Sequence, residues 1–226
     1  MRIGILQCGH FPTADGFREQ TYGDLYETFL SGRGLTFRTW SVVDMEFPGG
    51  IDAADGWLVT GSKHGAYEKL PFIEPLEQFL RDAYAAGRPI VGICFGHQIL
   101  AQALGGKVEK FSGGWALGRQ TYEMQGQTVA LNAWHQDQVT EPPEDATTIA
   151  SNPFCAHAGF SYKGRAFSVQ AHPEFEAEHV ALLLKVRRAA LSADQVEDVQ
   201  RNLEKPLSNT ALADRIAAFF KEPAHV

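Results

Sequence analysis

Cysteine is scarce in this chain: three residues in 226, at Cys8, Cys94 and Cys155. The number is odd and the spacing wide, which argues against a disulfide framework and fits a reducing cytoplasm. Basic residues do not dominate either. Lys and Arg number 20 against 27 Asp and Glu, a net charge of −7 with no basic block. Phosphate-backbone binding is therefore not expected as a main function. No stretch approaches the ~20 consecutive apolar residues of a membrane span. Met1-Arg-Ile-Gly-Ile-Leu6 runs straight into a strand pattern rather than a signal peptide. Internal repeats and low-complexity segments are missing, and so is a Gly-x-x-x-x-Gly-Lys-[Ser/Thr] loop, so nothing supports ATP binding. Ser112-Gly-Gly-Trp-Ala-Leu117 comes near a Ser-Gly-Gly-x-Asp-Ser pyrophosphatase loop, but Ala116 and Leu117 stand where Asp and Ser are needed. No cofactor is expected.

What is present is an ordinary globular composition, 44% hydrophobic, and an alternation of strand and helix patterns. That alternation implies an α/β fold with a mainly parallel sheet. Strands are expected over 2–8, 37–43, 56–60, 90–93 and 165–170, and helices over 16–30 and 73–86. Between the elbow described next and residue 151 lie shorter, more polar segments, 107–111, 120–124, 127–133 and 147–151, with Gly126 suggesting a hairpin. These read as mixed or antiparallel strands added beside the parallel set. From Glu176 onward the pattern is helical. Val180, Leu183, Leu184 and Val186 start one helix, Glu204-Lys-Pro-Leu207 breaks the run, and Asn209 is the expected N-cap of another. We expect one domain over residues 1–175 and a helical extension over 176–226. The extension either packs on the domain or offers a docking surface to a partner subunit or a second copy of the chain.

The most informative segment is Pro89-Ile-Val-Gly-Ile-Cys-Phe-Gly-His-Gln98. Ile90, Val91 and Ile93 suit a central strand. Gly92 and Gly96 flank Cys94 at i−2 and i+2, the spacing of a nucleophile elbow, where a side chain beside the reactive residue would clash. An amphipathic helix follows, with Ile99, Leu100, Ala103 and Leu104 on one face and Gly105-Gly106 as its stop. Its positive end faces the sulfur and favours nucleophilic attack. The competing reading is a structural cysteine in the core, and the two glycines weigh against it. A nucleophilic thiol needs a base and the base an orienting group. Ser168-Val-Gln-Ala-His-Pro-Glu174 offers both: His172 lies just past a strand's carboxyl end, and Pro173 stiffens its link to Glu174.

Together these motifs resemble the class I (triad) glutamine amidotransferase domain. The matching residues are Gly92-x-Cys94-x-Gly96-His97-Gln98 and Gln170-x-His172-Pro173-Glu174, with Leu58-Val-Thr-Gly-Ser62 and Trp134-His-Gln-Asp137 as further matches. The likeness covers roughly residues 1–175. It is nearest to stand-alone members similar to the amidotransferase half of GMP synthase, a branch shared by γ-glutamyl peptide hydrolases. The resemblance implies a flavodoxin-like three-layer fold and a Cys94-His172-Glu174 triad that hydrolyses glutamine to glutamate and ammonia.

For the oxyanion of amide hydrolysis, the motif logic places two backbone donors. One is Phe95, after the nucleophile; the other is Gly61, where simple turn chemistry is the competing reading. By resemblance, Gln98 contacts the substrate, and the loops 113–118 and Trp134-His135-Gln136-Asp137 hold its α-amino and α-carboxylate groups. His135 is a conceivable rival base, but the resemblance makes it a loop former. His172, Glu174, Glu176, Glu178 and His179 are dense enough to suggest a metal, yet two already have triad roles and no second ligand pair has fixed spacing. No synthetase-type acceptor is read in these residues. Three functions are therefore carried forward: a glutamine hydrolase with a separate ammonia-acceptor enzyme, a γ-glutamyl peptide or amine hydrolase, and a non-enzymatic interaction or stress-response protein on the same fold. Glu174 argues against the third, because a protein using only the thiol needs no His-Pro-Glu arrangement.

Overall fold

Apolar residues that alternate along short β-branched runs build sheet, and the amphipathic segments between them cover both of its faces. The computed structural model describes residues 1–222. In chain order its first half runs β1 (Arg2–Leu6), α1 (Tyr22–Phe29), β2 (Thr36–Trp40), β3 (Gly56–Val59), α2 (Ile73–Ala85), β4 (Ile90–Ile93) and α3 (Phe95–Ala103). The second half is richer in strand: β5 (Lys107–Lys110), β6 (Ala116–Met124), β7 (Gln127–His135), β8 (Asp137–Glu141), β9 (Ala146–Ser151), β10 (Gly159–Tyr162) and β11 (Ala166–Val169). Helices α4 (Ala177–Arg187), α5 (Ala193–Asn202) and α6 (Asn209–Lys221) complete it. Nine strands form one sheet in the order β2-β1-β3-β4-β11-β10-β9-β6-β7, and β5 pairs with β8 apart from it. The strands from β2 to β11 are mutually parallel; β10, β9, β6 and β7 extend them in antiparallel fashion.

Period-two alternation divides the core. Ile3, Ile5, Leu58, Val91, Ile93, Phe167 and Val169 point to the layer of α1, α4 and α6. Leu6, Trp57, Val59 and Ile90 point to the layer of α2 and α3. The result is the expected flavodoxin-like three-layer arrangement. No helix among the described residues is long and apolar enough to cross a membrane.

Several boundaries differ from the sequence expectation. The first helix begins at Tyr22 rather than 16, because Thr21 and Asp24 close a capping box there. Strand β1 stops at Leu6, and the Cys8 amide turns to the Thr60 hydroxyl. Strand β2 ends at Trp40 and gives way to a 3₁₀ turn over Val42–Asp44. Strands β8 and β10 were not anticipated. Among the described residues the tail has three α-helices: Ser192 and Gln195 form a capping box that starts α5. Asn209 is not an N-cap. Ser208 holds that position, and the Asn209 amide donates to the Phe175 carbonyl and Glu176 Oε1.

The elbow glycines have a steric cause. A Cβ on Gly92 would sit 2.4 Å from the Gly96 carbonyl oxygen, and one on Gly96 would sit 2.2 Å from the Val59 carbonyl oxygen. Backbone cannot yield as a flexible side-chain tip can. Gly96→Ala is therefore expected to cost about 2–3 kcal/mol of stability. Gly49→Ala, which meets nothing within 4 Å, should change it by less than about 0.5 kcal/mol. Urea denaturation of the two variants checks this, and equal midpoints would contradict it.

Candidate active site

Strand β4 ends one residue before Cys94, and α3 begins one residue after it. The turn is so tight that Cys94 takes φ 53° and ψ −104°, a region that strains any residue with a Cβ. Its amide donates to the Val169 carbonyl at 2.9 Å, so the elbow is tied to β11. Cys94 caps α3, and the sulfur sits at that helix's positive end. The Gln170 amide also reaches the sulfur, at 3.7 Å. Cys94 is 4% exposed. Cys8 and Cys155 are free and buried too, but burial pushes the Cys8 thiol up and the Cys155 thiol up to about 12.

Register does the rest. Strands β4 and β11 pair in parallel with Ile93 beside Val169, so the two chain ends leave the sheet together and bring His172 to Cys94. The His172 amide donates to the Asn132 carbonyl at 2.8 Å, which fixes the loop against β7. Its ring lies flat on Phe175, 4.0 Å between centroids and 2° between planes. Nδ1 is 2.7 Å from Glu174 Oε1. A carboxylate oxygen accepts, so Nδ1 carries a proton toward Glu174 and Nε2 is turned to the sulfur. Burial works against the imidazolium, but the Cys94 sulfur and the Glu174 carboxylate outweigh it and lift His172 to about 10.

Glu174 is itself buried, and its Oε1 also accepts from the Tyr26 hydroxyl at 2.8 Å. Burial, then the carboxylate, holds that phenol protonated as a donor. Glu174 Oε2 has no hydrogen-bond partner among the described residues. Phe175 O, just beyond, accepts from the side chains of both Asn132 and Asn209, so β7 and α6 clamp the His-Pro-Glu loop from two sides.

Cys94 and His172 open onto a cavity of about 590 Å³ that Gln98, Trp134, His135 and Gln136 also line. Trp134 and His135 belong to the end of β7 rather than to a loop. Of the segment 113–118, Trp115 lines the cavity, while Ala116 onward is strand β6. Gln98 donates to the Asp137 carbonyl and to Gln170, which holds it in place. His135 is buried and driven down to about 4 by desolvation, against a weaker pull from the Asp137 carbonyl. It is a neutral wall residue. A Cβ on Gly61 would lie 2.7 Å from His172 Cε1, so only glycine leaves the imidazole where it is. Phe95 is the first residue of α3, and its amide has no intrahelical acceptor. Among the described residues no group of three or more His, Cys, Asp or Glu could hold a metal ion.

A family model, glutamine amidotransferase class-I, matches residues 45–181, more than half of the chain. The chain belongs to that family. Among curated relatives, gamma-glutamyl peptidase 3 of Arabidopsis thaliana is 30% identical over 220 residues, covering 88% of this chain and 87% of the relative. A glutamine-hydrolysing GMP synthase of Staphylococcus saprophyticus is 35% identical over 128 residues, 53% of this chain and 24% of that protein. Among solved structures, a glutamine amidotransferase from Thermotoga maritima superposes with a TM-score of 0.78 at 20% identity, covering 98% of both chains. In this class I amidotransferase the sequence reading missed Tyr26, Phe175 and the clamp by Asn132 and Asn209. Tyr26 carried no signal of its own, since its i, i+4 spacing is that of any core aromatic.

Proposed function

We propose that this amidotransferase is a cysteine hydrolase of γ-glutamyl amides, with Cys94 as nucleophile, His172 as acid and base, and Glu174 as its orienter. The observation that carries this reading is the cluster at the joined ends of β4 and β11: His172 interacts with both the Cys94 sulfur and the Glu174 carboxylate, with Nδ1 and Oε1 2.7 Å apart. Cys94 Sγ attacks the γ-carbonyl carbon, its proton having already passed to His172, which is held as the imidazolium. The oxyanion is met by the amides of Phe95 and Gly61. His172 then gives its proton to the departing nitrogen, and a thioester remains. Water, deprotonated by His172, releases glutamate and the free thiol. Residues 1–175 supply this machinery, and 176–226 act as an extension whose α6 steadies the His-Pro-Glu loop. Free, reduced cysteines suit a cytoplasmic setting.

Glutamine is the smallest substrate with that carbonyl, and its ammonia would go to a separate acceptor enzyme. The cavity's size supports a second reading, a γ-glutamyl peptide or amine as substrate, because about 590 Å³ is in the range that encloses drug-sized ligands. The gamma-glutamyl peptidase relative, matched over most of its length, points the same way. Glutamate release from glutamine, glutathione and γ-glutamyl amines tests both. We expect weak turnover of glutamine by the isolated protein and appreciable hydrolysis of at least one γ-glutamyl compound. Inactivity on every member of the panel would leave the non-enzymatic reading standing.

A further inference from the structure

Among the described residues five large hydrophobic side chains are exposed: Met1, Met45, Tyr67, Trp115 and Val186. Three of them, Tyr67, Trp115 and Val186, line the cavity that holds Cys94. They come from three unrelated places: the turns after β3, the residue before β6 and the last turn of α4. Each is between 41% and 45% exposed. Single exposed hydrophobics are unremarkable, but convergence of three on one cavity wall marks a surface that an apolar ligand body covers. The reacting γ-glutamyl group cannot be that body, because its α-carbon carries an ammonium and a carboxylate.

Charge narrows the class. The chain as a whole is acidic, at −7, yet this cavity's wall has Lys63, Lys110 and Arg187 against Glu68 and Asp137. A γ-glutamyl amino acid has two carboxylates and one ammonium. Glutamine has one of each, and a γ-glutamyl diamine has more ammonium than carboxylate. Only the first matches a wall with a surplus of cations. Arg187 follows Val186 directly at the end of α4, so a carboxylate fork stands next to an apolar contact, the pair presented by an amino acid with a hydrophobic side chain.

We propose, resting on the hydrolase reading above, that the substrate is a γ-glutamyl amino acid or short peptide whose leaving residue is aromatic or large and aliphatic. Trp115, Tyr67 and Val186 hold that side chain, and Arg187 pairs with its carboxylate. In the reaction the C–S bond forms at the γ-carbonyl carbon, and the C–N bond breaks as the tetrahedral oxyanion collapses and the departing α-amine takes its proton from His172. Water then replaces sulfur on the acyl carbon. The thiol, glutamate and a free hydrophobic amino acid result.

The test is kcat/KM, by glutamate release, for γ-glutamylphenylalanine, γ-glutamylglycine, γ-glutamylphenethylamine and glutamine. We expect the phenylalanine compound to exceed the glycine compound by about tenfold or more, the usual worth of a filled apolar pocket. It should exceed the phenethylamine compound, which keeps the ring and lacks the carboxylate, by a similar factor. Trp115→Ala should collapse the first ratio and Arg187→Gln the second. Equal rates for the phenylalanine and glycine compounds, or ratios untouched by either substitution, would overturn the proposal while hydrolysis itself stands. Failure of all four compounds to release glutamate would instead overturn the hydrolase reading, and this inference with it.

Discussion

Cys94→Ala and Cys94→Ser should each lower γ-glutamyl amide hydrolysis by about three orders of magnitude or more, the usual consequence of removing a triad nucleophile, while the protein stays folded. The thiol is not a core filler whose loss opens a cavity, since it faces the substrate cavity from the cap of α3. Its backbone, at φ 53°, is a position that glycine would occupy with less strain. Cys94→Gly should therefore be as dead as Cys94→Ala and more stable than it by about 1 kcal/mol. A site that holds a strained cysteine where glycine would be more stable is retained for its chemistry. A glutamine-mimicking electrophile should label Cys94 ahead of Cys8 and Cys155, whose burial keeps their thiols protonated. Near-wild-type turnover in either the alanine or the serine variant, or preferential labelling of Cys8, would remove Cys94 from the mechanism.

How much of this was legible in the sequence follows from what kind of interaction specifies each part. The elbow was legible because its cause is local. Gly92 and Gly96 face backbone atoms at less than 2.5 Å from an ideal Cβ, and a spacing of two residues on each side of Cys94 records that constraint. The central parallel strands β3, β4 and β11 were legible because both their faces are buried, which leaves largely apolar runs. His172 and Glu174 were legible as a pair, because Pro173 holds them in one short loop. The antiparallel extension was read only in part: β8 and β10 are short, and their burial depends on β5 and β9 lying beside them. Tyr26 and Asn209 were out of reach for a different reason. Their hydrogen bonds, to Glu174 across 148 residues and to Phe175 across 34, arise from packing of α1 and α6 that no local pattern encodes. The same holds for Trp115 and Val186, which lie 71 positions apart in the chain and line one cavity only in the folded protein.

Glu174→Gln should leave the fold intact, cut the rate by about 10²–10⁴-fold and move the alkaline limb of the kcat/KM profile to lower pH. The direction follows from His172. Its imidazolium is supported by the Cys94 sulfur and by Glu174 against burial. Removing the carboxylate's charge withdraws one support, so the ring gives up its proton at a lower pH than in the wild type. If the imidazolium is the acid that protonates the leaving nitrogen, activity fails at that lower pH. His172→Ala should be slower still, since the base itself must move a proton whereas Glu174 sets its tautomer and charge. Stability should not fall in parallel. Glu174 is buried with Oε2 unpartnered, and a neutral amide there relieves a desolvated charge that only Oε1 has partners to offset. The expected result is thus a variant as stable as the wild type, slow, and shifted in its alkaline limb, a combination that a merely structural carboxylate would not produce. Wild-type rates with an unmoved profile would reduce Glu174 to a loop residue, and a large loss of stability would show that its hydrogen bonds from His172 and Tyr26 serve the fold before they serve the reaction.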